Sequence, residues 1–256
     1  MNFSFRCKWL SFSVFIILFG AGCAIFPTGK IESENYSISP AAQLPPADTS
    51  IRQVISPYKE QMGRAMNEVI GHNKASLFLE RPESALGNFL ADLLYRESLE
   101  YAGDSVDFSI LNFGGVRLFE LPEGEITIGK MYEIMPFENR LVILHISGGM
   151  VRQLADVIAA DGGWPVSQNF RFEIVGKKAQ NIRLNNQPLH EDKIYTAALP
   201  DFIAFGNAGC NFFASQPRIE TGYLVREVFI NGIKKMEQQG QIVESKVDGR
   251  IILANH

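Results

Sequence analysis

Three residues at close spacing, Gly114, Gly115 and Arg117, have the types needed to hold an anion. They follow the apolar run 108–112, Phe-Ser-Ile-Leu-Asn, which has the pattern of a short buried strand. Two glycines after a strand let the backbone approach a ligand closely, because no Cβ stands in the way. An arginine two residues further on can present a planar fork of donors to a phosphate or carboxylate. A surface ion pair is the plainer use of such an arginine, and it contributes little to stability. Other chemistries find no residues at a useful spacing. There is no Gly-x-Ser-x-Gly elbow and no Gly-x4-Gly-Lys-[Ser/Thr] phosphate loop. The four histidines, His72, His145, His190 and His256, are too far apart in sequence to suggest a metal pair. His145 lies within an apolar strand pattern and reads as a satisfied core residue. Cys210, beside Asn211, lacks a neighbouring histidine to activate it as a nucleophile.

The elements around these residues can be read in order. Arg6 and Lys8 precede an apolar run from Trp9 to Gly20, twelve residues long, and Ala21-Gly22 leads to Cys23. The run is too short to span a bilayer, which needs about 20 residues, and it has the pattern of a secretory signal. Residues 1–22 are therefore expected to be a signal peptide. Cys23 after two small residues resembles a bacterial lipoprotein cleavage site, although Gly20 stands where that motif prefers leucine. Ordinary signal cleavage is the alternative. Cys7 would leave with the signal and lipid would occupy Cys23, so Cys210 alone would remain and no disulfide is expected in an exported protein. Residues 23–50, with Pro27, Pro40, Pro45 and Pro46, read as an extended tether. The folded domain is expected over 51–256.

The whole chain carries a net charge of −4, and loss of Arg6 and Lys8 would make it −6. No basic stripe argues for nucleic acid as a partner. Ser56-Pro57 reads as a helix start, with Tyr58, Met62, Ala65, Met66 and Val69 at helical spacing and Gly71 as the stop. A short strand over 76–80 precedes a helix from Ala85 with Leu86, Phe89, Leu90, Leu93 and Leu94 on one face. Met150 to Ala160 reads as another amphipathic helix. Phe170, Phe172 and Ile174 alternate, as do Ile182 and Leu184. Asn185 to Pro188 makes a turn before the strand 194–199. A helix over 224–236 and a strand over 250–253 close the chain. Strands and helices mix without strict βαβ alternation, so the expected class is α+β, a mixed sheet with flanking helices.

Four stretches taken together resemble the C-terminal domain of bacterial 5'-nucleotidases. They are Asn112 to Arg117 (Asn-x-Gly-Gly-x-Arg), Gly124-Glu125-Ile126-Thr127, Pro136 to Asn139 (Pro-Phe-x-Asn), and the strand from Leu141 into the helix at Gly148. Upstream, Arg81, Glu83, Ser84, Leu86-Gly87-Asn88 and Ala91-Asp92 add to the likeness. The resemblance covers roughly 51–253 and implies a nucleotide-binding α+β domain. It implies that Phe137 and Phe202 clamp the base, that Arg117 meets the phosphate or ribose side, and that Arg81 is a second phosphate-facing arginine. Both phenylalanines have a plainer reading as core residues. Asn112 and Asn139 either touch ligand or pin loops, and Gly114 and Gly115 serve backbone shape in either case. The chain departs from the pattern at Asn207-Ala208, where relatives carry Gly-Asp, leaving Asn207 as a possible substitute.

The resemblance also implies what a complete enzyme needs: an N-terminal metallophosphatase domain holding two metals. Its Asp-x-His and Gly-Asn-His motifs are not found here, so no cofactor is expected in this chain, with divalent metals only in a partner. The expected function is the nucleotide-binding half of a 5'-nucleotidase, a hydrolase of nucleotide catabolism acting with a separate metallophosphatase chain and tethered to a membrane through Cys23. The alternative is a non-catalytic lipoprotein that binds nucleosides or another protein. A complete hydrolase is the weakest reading, for want of a convergent nucleophile, base and metal set.

Overall fold

The structure, a computed structural model, describes residues 49–102 and 106–254. The expected signal peptide, Cys23 and nearly all of the expected tether lie outside the described residues, as do Gly103, Asp104 and His256. Residues Ser50–His256 form one compact unit.

Its central element is β6 (Arg140–Ser147), an apolar strand buried on both faces. Val142, Leu144 and Ile146 enter one hydrophobic cluster, while Leu141 and Ile143 enter the other. Near-continuous apolar sequence, rather than alternation, is what a strand covered on both sides requires. β6 sits inside a four-stranded mixed sheet of order β11-β6-β10-β3. β10 (Ile194–Pro200) runs antiparallel to β6, with Pro200 opposite Leu141, and parallel to β3 (Phe108–Ser109). β11 (Arg218–Leu224) forms the far edge.

One face of this sheet is covered by α2 (Ala85–Ser98) and α6 (Val225–Gln238). α2 starts where Ser84 Oγ accepts a hydrogen bond from the Gly87 amide. It buries Leu86, Phe89, Leu90, Leu93 and Leu94, each contributing up to about 1.5–3 kcal/mol. On the other face lie α4 (Gly148–Ala160) and a second mixed sheet, β12-β7-β8-β9. In that sheet β7 (Phe170–Val175) pairs with β8 (Lys178–Leu184), and β9 (Gln187–Pro188) and β12 (Ile251–Leu253) flank them. Asn185 and Asn186 both have positive φ in the β8–β9 turn, as asparagine tolerates.

Two small ribbons and the short helix α3 (Ile128–Ile134) complete the fold; the ribbons pair β1 (Val69–Asn73) with β5 (Gly124–Thr127), and β2 (Leu77–Phe78) with β4 (Glu120–Leu121). The architecture is thus α+β with mixed sheets and flanking helices, as expected. Three local readings differ. The first helix, α1, runs Thr49–Met66 with Pro57 inside it, so Ser56-Pro57 does not start it. Val69 and Gly71 belong to β1; Gly71 is there because a Cβ would lie 2.6 Å from Ile233 of α6. His145 is exposed rather than in the core, its Nδ1 3.1 Å from Thr196 Oγ1.

Candidate functional site

The strand pairings bring three chain segments to one end of the central sheet. Because β3 and β10 are parallel and β6 antiparallel, the carboxyl ends of β3 and β10 lie beside the amino end of β6. Asn112 to Arg117 leave β3, Phe137 to Asn139 lead into β6, and Phe202 follows β10 in the short helix α5 (Asp201–Ala204). Loops at strand ends are held by the sheet while their side chains stay free for ligand.

There Asn112, Gly114, Gly115, Arg117, Phe137, Asn139 and Phe202 line one open cavity of about 340 Å³. That is within the size range of small-molecule sites. Seven of the nine sequence-derived binding residues therefore converge. Among the described residues the guanidinium of Arg117 has no hydrogen-bond or ion-pair partner; it lies over the Phe137 ring, 5.0 Å from Cζ to centroid. Its main chain is fixed, the Arg117 amide donating to the Ile134 carbonyl at 2.8 Å. The side-chain amides of Asn112 and Asn139 are likewise without partners among the described residues. A fixed backbone carrying free donors beside the half-buried Phe137 ring and the exposed Phe202 ring suits a ligand with an anionic group and a planar ring.

Of the two glycines, only Gly115 is required by space, and neither is required by φ. Neither has a positive φ, and a Cβ on Gly115 would lie 2.8 Å from Asn112 Oδ1, whereas one on Gly114 would meet nothing nearer than 3.9 Å.

Two residues lie elsewhere. Arg81 donates to Asp161 at 2.9 Å and stacks on Phe113 at 4.1 Å, so its guanidinium is engaged outside the cavity lining. Asn207 turns its Nδ2 back onto the Phe202 carbonyl at 2.9 Å. The next residue, Ala208, has φ of 54°, a conformation easier for Asp, Asn or Gly.

The arginines that brace the two aromatic loops escaped sequence reading. Arg226 of α6, 5% exposed, donates through Nη1 to the carbonyls of Met135 (3.0 Å) and Phe137 (3.1 Å), and stacks on Tyr132. Arg218 of β11 donates to the carbonyls of Ala204 (3.2 Å) and Ala214 (3.0 Å) and stacks on Phe205. Arg226 is some 90 residues from the loop it holds, whereas Arg218 lies 4 and 14 residues from its acceptors.

The sequence profile of the family described as "5'-nucleotidase, C-terminal domain" matches residues 61–215. The chain belongs to that family. Among curated proteins it is 25% identical to the trifunctional nucleotide phosphoesterase protein YfkN of Bacillus subtilis, over 87% of this chain and 16% of that protein. It is 28% identical to the cell wall protein Lmo0130 of Listeria monocytogenes, over 88% of this chain and 31% of that one. Among solved structures, the 5'-nucleotidase precursor from Thermus thermophilus matches with a TM-score of 0.69 at 26% identity, covering 82% of this chain and 44% of that one. The chain thus spans less than half the length of these relatives.

Among the described residues no group of three or more His, Cys, Asp or Glu is placed to hold a metal ion. Burial pushes the Cys210 thiol up to about 12, so it is held as an unreactive thiol at neutral pH.

Proposed function

We propose that this chain is the nucleotide- or nucleoside-binding half of a 5'-nucleotidase, working in nucleotide breakdown with a metallophosphatase supplied as a separate chain. The observation that carries the reading is the unpartnered Arg117 guanidinium beside Phe137, in one cavity with Phe202. Arg117 binds the phosphate, Phe137 and Phe202 hold the base, and Asn112 and Asn139 offer amides to the base edge or sugar hydroxyls. Gly114 and Gly115 keep the approach open. Stacking contributes about 1–3 kcal/mol per base and charge-assisted hydrogen bonds about 1.5–3 kcal/mol, enough for weak, exchangeable binding. Binding then positions the scissile phosphate, and the partner's metal-activated water attacks it.

A Thermus relative described as a precursor and a Listeria relative described as a cell wall protein favour export. Export fits the basic and apolar N-terminus, and lipid on Cys23 would keep the domain in the bacterial envelope. A second reading, a non-catalytic nucleoside- or protein-binding lipoprotein, is favoured by Asn207-Ala208, which puts no carboxylate in the loop after Phe202.

Phosphate release from AMP separates the two. The chain mixed with its candidate metallophosphatase and Mn²⁺ or Zn²⁺ should release phosphate at least tenfold faster than the partner alone. Equal rates with and without this chain would remove the split-enzyme reading.

A further inference from the structure

The first helix of the unit has no counterpart inside the fold to explain its sequence. α1 reaches the domain at its last turn, where the Met66 carbonyl lies against Gly129. From Ser50 onward its residues are exposed, except for half-buried Gly63 and Met66. Yet Ile51, Val54, Ile55, Tyr58 and Met62, which are 53–71% exposed, fall on one side. At helical spacing they occupy a sector of roughly 100°, the width of a face made to be covered. An 18-residue helix with a proline inside is marginal in water unless something packs on it.

Charge indicates what that something is. The net charge of the chain is −4, but α1 has three basic residues, Arg52, Lys59 and Arg64, against the single acid Glu60. Arg52 and Lys59 flank one border of the apolar sector, where their long stems can run alongside it and deliver the cations to a headgroup layer. No described helix is long and apolar enough to cross a membrane. A one-sided apolar stripe with a basic border on an otherwise acidic protein is the pattern of a helix that lies in a membrane interface.

The position in the chain agrees. Only 25 residues separate Cys23 from Thr49, a span of at most about 90 Å when extended. Any anchoring at Cys23 would keep α1 within reach of the same bilayer. A protein groove would need an acidic rim to meet that border.

We infer that α1 is a membrane-surface helix that lays Ile51, Val54, Ile55, Tyr58 and Met62 into a bilayer containing anionic lipid. It thereby fixes how the domain stands on the membrane, rather than supplying the anchor. This inference is independent of nucleotide binding.

The test uses residues 24–256, without Cys23 and the apolar run before it. This piece keeps every residue of both core clusters, which lie between Ile70 and Ile251. Co-sedimentation is measured with vesicles of phosphatidylglycerol and phosphatidylcholine at three to seven, and with phosphatidylcholine alone, at low and high salt. The expected result is binding to the anionic vesicles at least tenfold tighter than to the neutral ones, weakened by salt. Ile55→Asp with Tyr58→Asp should abolish it, and Arg52→Gln with Lys59→Gln should reduce it about tenfold on anionic vesicles. All four positions are exposed, so thermal unfolding should not move. No binding to anionic vesicles would overturn the proposal, as would binding indifferent to the aspartate pair. A homodimer, or a complex with the metallophosphatase, that the aspartate pair dissolves while vesicles are ignored would assign the face to protein instead.

Discussion

Glu83→Ala is expected to lower folding stability by about 3–5 kcal/mol, the cost of breaking a partly buried charged network. The Glu83 carboxylate accepts from the Asn88 side chain at 2.6 Å and from the backbone amides of Asp248, Gly249 and Arg250 at 2.9–3.0 Å. It thus holds the segment that leads into β12. Arg250, 3% exposed, is in turn gripped by Asp92 at 2.8 and 2.6 Å, by Asp248, and by the Val166 carbonyl. Burial works against its charge, but the hydrogen bonds and charge of Asp92 and Asp248 outweigh it and raise the Arg250 pKa. Without Glu83 three amides lose their acceptor, and the pairing of β12 with β7 loses its start. Urea titration of wild type and variant measures the effect. A loss below 1 kcal/mol would show that water replaces the carboxylate adequately. The upstream likeness at Glu83, Ser84, Asn88 and Asp92 is therefore largely architectural: these residues cap α2 and lock the C-terminal segment.

Arg226→Ala should cost about 2–4 kcal/mol and weaken AMP and adenosine binding together, by tenfold or more. Arg226 touches no residue that would meet the phosphate. It acts by holding the carbonyls of Met135 and Phe137, so its removal frees the loop that presents the Phe137 ring. Arg226→Lys keeps a donor but loses the planar stack on Tyr132, and should recover part of both losses. Calorimetric titration with both ligands, beside urea unfolding, separates positioning from bare stability. An unchanged affinity in a destabilised but folded variant would mean that Phe137 keeps its place without Arg226.

Much of this was legible in the chain because the signals are local. The helix from Ala85 with its apolar face, the strand from Leu141 and the alternation of β7 each follow from neighbours a few residues apart. The cavity residues were legible as motifs, although nothing local says that they meet. Their convergence depends on β10 lying between β6 and β3, a pairing across some 50 to 90 residues. Distance in sequence also hid Arg226, though not Arg218, whose acceptors are 4 and 14 residues away. Each serves carbonyls, which leave no trace in side-chain patterns. Arg81 shows the converse: its place before the Leu-Gly-Asn helix suggests a ligand, but Asp161, 80 residues away, engages it. The Pro57 reading failed because a proline can start a helix or be carried inside one, and sequence favours the start. Gly71 looked like a helix stop, yet its lack of a side chain serves packing against Ile233.

The central claim is that Arg117 and Phe137 form one site for an anion and a ring. It is tested most directly by calorimetric titration of residues 24–256 with AMP and with adenosine, repeated on Arg117→Ala and Phe137→Ala. Arg117→Ala should weaken AMP by about 10- to 100-fold, as loss of a charge-assisted contact requires, while changing adenosine by less than threefold. Phe137→Ala should weaken both ligands about equally, by roughly fivefold or more. Absence of binding to millimolar ligand, or equal losses of AMP and adenosine in Arg117→Ala, would contradict the assignment.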